Sequence, residues 1–386
     1  MSLSSRREYL AIMQERYRLA AGRKEKSQVL DEIVATLDYN RKYATRVLRR
    51  PPLLKRPPPH RQRTLQYLEA LPAIQLAWEA LDYPCAERLH PVLLWTAEQL
   101  ASHGELSLTG QVQDQLRQIS RATLARRLAR MPTPKVHRMP GRSRSNLSLR
   151  AEVPLGRYHW DETRPGAVEI DLVEHNGGSS AGHFACTLDV VDVATGWSGR
   201  RAVLGRGQAG VFAALQHIVE NWPFPIWAIH SDNGQEFINQ FLIRFCRERA
   251  LRFTRSRPYK KNDNPHVEQK NRQFVRDTVG YARYDTPQHV DWLNHVYACL
   301  DPYANLFLPT RKVVAKTYLG PHLRKAYDVA KTPFHRLCIA GALDPATQAA
   351  LNAQITSENP LALHRRLQSL LACEPVNQPS LPTAAD

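Results

Sequence analysis

Three acidic residues, far apart along the chain, constrain this sequence more than any other feature. Asp171 lies inside a strand-like run, and Asp232 directly follows another. A further 35 residues separate Asp232 from Glu268, which falls one turn into a probable helix that Asn264 could cap and Pro265 could begin. If the three acids form one site, the fold must bring two strands and one helix together at one edge of a sheet.

The segment around these acids alternates between β-prone and helical patterns. Five β-prone runs cover 168–174, 184–193, 200–204, 225–230 and 251–254. Helical periodicity covers 209–222, 234–250 and 267–281. Three consecutive strands, followed by helix, strand, helix, strand and helix, predict a ribonuclease-H-like α/β core over 155–300. We expect a mixed five-stranded sheet with helices on both faces.

The residue types suit a site for divalent metal ions. Mg²⁺ prefers oxygen ligands, and two such ions about 4 Å apart activate the attacking oxygen and stabilise the leaving oxygen of a phosphodiester. We therefore predict that Asp171, Asp232 and Glu268 are catalytic and bind two Mg²⁺ ions, with Mn²⁺ as a substitute. Asp171, central in its strand, is the candidate to bridge both ions.

Other acids and two histidines lie near the three candidates. Asp189 and Asp192 on the neighbouring strand should have outward or structural roles, and Glu174 should lie on the opposite face of its strand from Asp171. Glu236 could orient the turn after Asp232, and Asp263 lies on the loop beside the third acid. His230 and His266 are adjacent to the predicted site, but Mg²⁺ disfavours imidazole. Packing or hydrogen bonding is the better interpretation for both histidines.

The positive charge of the chain is concentrated in its first part. The net charge is +17, and residues 1–150 hold 27 Lys and Arg against 13 Asp and Glu. This asymmetry favours nucleic acid as a partner, bound by modules that precede the catalytic core. No apolar run approaches the length of a membrane span, so we expect no membrane partner.

Residues 1–50 predict a helix-turn-helix domain. Two segments with apolar residues at helical spacing precede the break Asp38-Tyr39-Asn40, and a short basic helix follows it. Tyr43, Val47 and Leu48 should point inward. The predicted DNA contacts on the outer face are Arg41, Lys42, Arg46 and Arg49. An ordinary helical hairpin with a basic face is the alternative.

A second helical DNA-binding domain is predicted over 64–131. Its last helix should begin after Ser120 and place Leu124 and Leu128 inward. The predicted DNA contacts of this helix are Arg121, Arg126 and Arg127. Basic linkers, rich in proline, are predicted on either side, over 51–63 and 132–154.

Basic residues lie close to the third acid along the chain. Arg272 and Arg276 follow Glu268 at spacings of four and eight residues, on nearly its helical face. Together with Lys260 and Lys261 in the preceding loop, they are predicted to contact DNA phosphates. The C-terminal region, 301–386, should be mostly helical, with a hairpin within 312–329.

Two segments carry a family resemblance: His-Ser-Asp-Asn-Gly-Gln-Glu-Phe around Asp232, and Asp-Asn-Pro-His-Val-Glu-Gln-Lys-Asn around Glu268. Through them, residues 155–300 resemble the DDE recombinases of the retroviral-integrase-like superfamily, specifically a bacterial insertion-sequence transposase with an integrase catalytic core. The three acids of that family correspond to Asp171, Asp232 and Glu268. The chain departs at Pro265, where related sequences often carry Gly or Ala.

The resemblance implies an activity. Such an enzyme would bind the ends of a mobile element in double-stranded DNA, nick them by metal-dependent hydrolysis, and join the 3′-OH to target DNA by direct transesterification. It would act as a homo-oligomer on DNA, in the cytoplasm at the bacterial nucleoid. Two alternatives stay open: a ribonuclease-H-like nuclease without joining activity, and a domesticated DNA-binding regulator.

Overall fold

A computed structural model provides the fold of this chain. It describes residues 3–49, 67–133, 163–231, 237, 240–256, 265–319 and 322–375. The chain divides into two compact units, Met1–Gln66 and Tyr67–Asp386. The predicted linker at 51–63 and almost all of the linker at 132–154 lie outside the described residues.

Within residues 3–49, the N-terminal unit forms three helices, α1 (Leu3–Leu19), α2 (Arg23–Leu37) and α3 (Arg41–Leu48). Asp38 adopts a left-handed conformation at the end of α2, and the side chain of Asn40 accepts a hydrogen bond from the backbone of Lys42. These two features produce the predicted turn between α2 and α3. The small core of this unit consists of Met13, Val29, Leu30, Ile33, Leu37, Ala44 and Leu48.

The predicted inward face of α3 was wrong at one position. Tyr43 has 42% of its surface exposed, while Ala44 is fully buried and Leu48 is nearly so. Ala44 and Leu48 are four residues apart and share one helical face, which turns Tyr43 toward the outside. The Tyr43 ring instead packs edge-on against Tyr39, with 4.8 Å between ring centroids.

The large unit begins with short helices. They are α4 (Leu71–Ala80), α5 (Ala86–Leu89), a 3₁₀ turn (His90–Val92), α6 (Leu93–Ser102), α7 (Gly110–Gln118) and α8 (Arg121–Leu128). The Ser120 side chain caps α8 by accepting from the backbone of Thr123 at 3.2 Å, as predicted. Leu124 and Leu128 are buried, also as predicted.

A mixed five-stranded sheet follows, which confirms the predicted core architecture. Its strands are β1 (Ala167–Glu174), β2 (Ala185–Asp192), β3 (Ser198–Leu204), β4 (Ala228–Ser231) and β5 (Arg252–Arg255). The spatial order is β3-β2-β1-β4-β5. The first three strands are antiparallel, whereas β4 lies parallel to β1 and β5 lies parallel to β4.

Helices cover the sheet. They are α9 (Gln208–Glu220), α10 (Gln240–Glu248), α11 (Pro265–Lys270), a π-helical stretch (Asn271–Arg276), α12 (Asp277–Val279) and α13 (Pro287–Leu306). Residues of α9 and α10, such as Leu215 and Phe245, form an apolar cluster with Ile170 and Leu188 of the sheet. The chain from α11 to α12 runs as one helical segment, and α11 and α13 contact the sheet as well.

Up to residue 375, the described part of the C-terminal region forms a hairpin and three further helices. They are β6 (Val313–Leu319), β7 (His322–Tyr327), α14 (Pro333–Ala340), α15 (Pro345–Ser357) and α16 (Pro360–Ala372). One continuous hydrophobic cluster joins α4, α6, α13 and α16. The Tyr303 hydroxyl also donates to the carbonyl of Ala80 at 2.8 Å. The helices at 67–131 and the C-terminal region therefore share a core in the folded chain.

None of the described helices combines the length and the apolar character that a membrane span requires.

Candidate active site

The first acid, Asp171, lies on a face of the sheet that carries other charged side chains. It is half-buried in β1, and its register partner in β2 is Asp189. Asp189 in turn pairs with Arg200 of β3. Because register partners in antiparallel strands share a face, all three side chains lie on the same side of the sheet.

Two contacts dock the helix of the third acid onto β1. The backbone N–H groups of His266 and Val267 both donate to Glu169 Oε2 at 2.9 Å. The Asn271 side chain donates from Nδ2 to Asp171 Oδ2 at 2.6 Å. The buried Glu169 carboxylate thus satisfies donors at the helix start, where negative charge is favoured.

Glu268 lies on the helical segment between these two contacts. Its side chain is exposed, while Val267 and Lys270 beside it are buried. Glu169 and Asp171 are two residues apart and therefore share the face of β1 that α11 covers. The structure thus brings Asp171 and the helix that carries Glu268 together.

The second acid, Asp232, lies outside the described residues, as do Asn233, Gly234 and Glu236. Strand β4 ends at Ser231, whose register partner is Ile170, the residue before Asp171. Within the described ranges, no three His, Cys, Asp or Glu side chains are close enough together to hold a metal ion. The complete trio therefore stays a prediction.

The π-helical stretch changes where the basic residues after Glu268 lie. Arg272 is exposed, but Arg276 is half-buried and donates to the carbonyl of Glu174 at 2.7 Å. Its guanidinium also lies 5.0 Å from the Tyr281 ring. A π-turn contains more residues than an α-turn, so the predicted common face of Glu268, Arg272 and Arg276 is displaced. Lys260 and Lys261 lie outside the described residues.

A buried cluster of charges supports the sheet behind Asp171. Arg200 is buried between Asp189, with Nε 3.4 Å from Oδ1, and Asp301 of α13, which accepts a hydrogen bond from its guanidinium. Asp301 also accepts from the backbone N–H of Arg200 at 2.8 Å. Burial raises the pKa of Asp301 to about 6 and also raises the pKa of Asp189, in spite of the nearby cation.

Lys270 completes this cluster from the helix of the third acid. Burial, followed by the proximity of Arg200, lowers the pKa of Lys270 to about 7. Its ammonium lies 4.6 Å from the Phe274 ring, and Arg200 lies 4.8 Å from the same ring. The charged groups therefore link β2, β3, α11 and α13 beneath the predicted site.

A hydrogen-bonded chain continues along the same face. His175 Nε2 lies 2.8 Å from the Thr187 hydroxyl, which lies 2.8 Å from the Tyr297 hydroxyl of α13. Burial lowers the pKa of His175 to about 3, and Arg276 contributes to the shift. A neutral imidazole is therefore built into the end of β1.

The other acids and histidines near the site make structural contacts. Asp192 accepts hydrogen bonds from the backbone N–H groups of Gly166 and Thr195, at 2.7 and 2.8 Å. Glu174 forms an ion pair with Arg206 at 2.6 Å. His230 Nδ1 lies 2.7 Å from the Thr254 hydroxyl, which fits the expected hydrogen-bonding role. Asp263 lies outside the described residues.

Sequence reasoning missed Glu169, Asn271, Arg200 and Asp301. Two of them carried a usable signal, because Glu169 precedes Asp171 by two residues on its strand face and Asn271 follows Glu268 by one helical turn. Arg200 and Asp301 are 101 residues apart in the chain, and no local pattern connects them.

The basic residues predicted to contact DNA lie mainly on exposed helix faces. On α3, Lys42 and Arg49 are exposed, Arg41 pairs with Asp31, and Arg46 lies 5.1 Å from the Tyr43 ring. On α8, Arg121 and Arg126 are exposed and Arg127 is half-buried. Contact between these side chains and DNA stays a prediction.

The chain is similar to a bacterial protein over most of its length. The uncharacterized protein y4rM of Sinorhizobium fredii (strain NBRC 101917 / NGR234) is 37% identical over 340 residues, which cover 87% of this chain and 96% of that protein. No family model matches the chain.

Solved structures show a weaker likeness. The HTLV-2 integrase catalytic core domain in complex with magnesium matches 38% of this chain and 90% of its own, with 14% identity and a TM-score of 0.29. The BIV integrase catalytic core domain matches 28% of this chain and 64% of its own, with 16% identity and a TM-score of 0.23. A simian T-cell lymphotropic virus intasome in complex with PP2A regulatory subunit B56 gamma matches 47% and 59%, with 16% identity and a TM-score of 0.27. Similarity at this level does not support a function by itself.

Proposed function

We propose that this chain, which belongs to the same family as the Sinorhizobium fredii protein y4rM, is a DNA transposase of the DDE type. The single observation that carries the proposal is the docking of the Glu268 helix onto the strand of Asp171. Asn271 holds Asp171, and Glu169 holds the start of α11. These contacts hold the helix that carries Glu268 beside the strand that carries Asp171.

The second acid completes the proposed site. Asp232 directly follows Ser231, the end of β4, and Ser231 is the register partner of the residue before Asp171. Parallel strands that end at a common edge bring their following residues toward one site. We therefore assign Asp171, Asp232 and Glu268 to a shared carboxylate site.

The residues suit Mg²⁺. All three ligands are carboxylates, which are the hard oxygen donors that Mg²⁺ prefers, with Mn²⁺ as a substitute. Asn271 Oδ1 is buried and makes no hydrogen bond with the described part of the chain, so the residue that holds Asp171 keeps one oxygen without a protein partner there. When bound, two Mg²⁺ ions would activate the attacking oxygen and stabilise the leaving one.

The protein's own residues would position the reacting groups. The Asn271 amide fixes the orientation of the Asp171 carboxylate, and the capped α11 fixes the height of Glu268 above the sheet. The exposed Arg272, four residues after Glu268, would hold a DNA phosphate beside the acids. Arg276 would act indirectly, because its contact with Glu174 ties the helix to the end of β1.

The proposed reaction has two steps. Water attacks a phosphodiester at the end of the element and releases a free 3′-OH and a 5′-phosphate. That 3′-OH then attacks a target phosphodiester, forming one bond and breaking another, with no covalent protein intermediate. Neither step requires a Ser or Tyr nucleophile.

DNA binding is assigned to the helical modules. In the N-terminal unit, a three-residue turn separates α2 from the short α3, whose outer face carries Lys42 and Arg49. Helices α7 and α8 form a second pair of helices joined by a short turn, and Ser120 in that turn caps α8. Both pairs suit a helix-turn-helix that places its second helix in the major groove. Two DNA ends must meet, so we propose a homo-oligomer on DNA.

A joining assay tests the proposal. Full-length protein would be incubated with Mg²⁺, a supercoiled plasmid and a labelled duplex that carries the DNA flanking the gene. We expect nicked ends with a free 3′-OH and covalently joined product. Asp171→Asn, Asp232→Asn and Glu268→Gln should abolish both products and leave duplex binding intact.

The alternatives give different results. Nicking without joining would assign the chain to ribonuclease-H-like nucleases. Binding to the flanking DNA without any metal-dependent nick would assign it to DNA-binding regulators. Either result would overturn the transposase proposal.

A further inference from the structure

The C-terminal hairpin, β6 with β7, has a firmly anchored base. The Lys312 ammonium donates to the carbonyls of Val193 and Ala194, at 2.7 and 2.6 Å, in the turn between β2 and β3. The Lys312 backbone N–H donates to Asp328 Oδ1 at 2.7 Å, and Arg336 pairs with Asp328 at 2.6 Å. The hairpin is therefore held at a fixed orientation on the catalytic sheet.

Beyond its base the hairpin is exposed. Every described side chain from Val313 to Tyr318 and from Leu323 to Tyr327 is exposed. Tyr318 has 73% of its surface exposed, although it lies in a regular strand. A two-stranded hairpin without a covering layer is only marginally stable in water. The arrangement favours a partner that covers it.

Two lysines oppose each other on one face of this hairpin. Lys316 of β6 is the direct register partner of Lys325 of β7. Tyr318 and Leu323, the neighbouring pair two residues along, lie on the same face. Like charges directly across two strands destabilise the pairing. Neither lysine has an ion-pair partner among the residues that the structure describes.

The charges of the two strands are all of one sign. Lys316, Arg324 and Lys325 are their basic residues, and the sequence of β6 and β7 contains no Asp or Glu. A second copy of the same hairpin would bring like charges together. A polyanion would instead turn the repulsion between Lys316 and Lys325 into two favourable contacts, and the exposed Tyr318 would cover sugar or base surface.

We propose that this hairpin is a duplex-DNA-binding ribbon, with Lys316 and Lys325 on phosphates and Tyr318 against the groove wall. This inference rests on the proposed function, because the hairpin would bind the DNA on which the carboxylate site acts. A two-stranded β-ribbon fits the major groove of B-DNA. The anchor of Lys312 on the β2–β3 turn would fix the DNA path relative to the sheet that carries Asp171.

The salt dependence of binding tests the hairpin. Affinity of the full chain for a 30-base-pair duplex of arbitrary sequence would be measured by fluorescence anisotropy between about 50 and 200 mM salt. The slope of log K against log salt is negative, and each phosphate contact that is lost reduces its magnitude by about 0.9, so Lys316→Gln with Lys325→Gln should reduce the magnitude by about 1.8. Tyr318→Ser should weaken binding with little change of slope.

A matched control removes a cation elsewhere. Arg366 is exposed on α16, and Arg366→Gln should leave the slope unchanged. Equal slopes for the double lysine variant and the wild type would overturn the inference. So would an unchanged slope together with a smaller assembly in sedimentation velocity, which would assign the hairpin to contacts between copies.

The two proposals fail in different ways. If the wild type nicks and joins DNA but the lysine variant keeps its slope, the hairpin inference is wrong and the transposase proposal stands. If the lysine variant loses slope but the wild type never nicks DNA, the ribbon stands and the transposase proposal is wrong.

Discussion

The two faces of the five-stranded sheet are built in different ways. One face packs apolar side chains of β1 and β2 against Val211, Leu215 and Ile218 of α9. The other face also packs apolar side chains such as Val173 and Ala202 with residues of α13, but it holds charges among them. Asp189, Arg200 and Lys270 are buried there, and Asp301 of α13 is half-buried. Apolar packing can account for stability on both faces, but the buried charges require another explanation.

The difference between the faces indicates where the sheet meets its function. Replacing buried ion pairs by apolar residues is often neutral or stabilising, so a buried charge cluster is weak evidence for stability. Here the cluster lies directly behind Asp171 and reaches the Glu268 helix through Lys270. We interpret it as the support that fixes the acids, while apolar packing on both faces of the sheet holds the fold.

The largest expected effect is on the charged face. Arg200→Met leaves Asp189 and Asp301 buried without their shared cation, which should lower the free energy of unfolding by about 3–5 kcal/mol. Urea denaturation would measure it. The triple variant with Asp189→Asn and Asp301→Asn should recover much of the loss, and a loss below about 1 kcal/mol in the single variant would remove the contrast between the faces.

The apolar face should respond through cavity formation alone. Leu215→Ala should lower the free energy of unfolding by about 2–5 kcal/mol, because the side chain is buried against the sheet. Joining activity per folded molecule should stay unchanged, with the exposed His217→Ala as a control. A drop in activity larger than the loss of folded protein would show that the acids depend on both faces.

The contact between Asn271 and Asp171 should affect activity more than stability. Groups that orient metal ligands typically contribute about 10–100-fold, so Asn271→Ala should lower the joining rate by that factor and weaken metal affinity. Duplex affinity should not change. Gln273→Ala, on the same helical segment, is the control, and equal rates for both variants would exclude a positioning role for Asn271.

Near neutral pH the smallest expected effect is that of His175, because its contribution to stability changes only below about pH 6.5. His175 has a folded pKa of about 3, so the unfolded chain binds a proton that the folded chain lacks between about pH 3 and 6.5. Stability from this group is therefore lost as pH falls through that window, by up to about 1.4 kcal/mol per pH unit. His175→Gln should flatten the acid limb of stability against pH, whereas Leu215→Ala should keep it.

Much of the core could be predicted because its signals are local. The five strands, the helices between them and the positions of Asp171 and Glu268 follow from periodicity over short windows. The buried cluster could not be predicted, because Arg200 and Asp301 meet only after α13 packs on β3. The same holds for the hydrogen bond from Tyr303 to Ala80, which joins residues 223 positions apart.

Two errors of detail have local causes. The α3 helix is short, so its inward face is set by Ala44 and Leu48, and the larger Tyr43 is left outside. The π-helical stretch after Lys270 displaced Arg276 from the face of Glu268, and periodicity assumes regular α-helical turns. The first error shows that side-chain size does not decide which face of a short helix is buried. The second shows that a predicted helical face is displaced where the turns are not α-helical.

The most direct test of the central claim is a crystal of the full chain grown with Mn²⁺, with metal positions located by anomalous scattering. The account predicts two ions about 4 Å apart. Oxygens of Asp171, Asp232 and Glu268 should lie about 2.1 Å from them. Ions bound at other residues, or carboxylates of Asp171 and Glu268 that share no metal site, would contradict it.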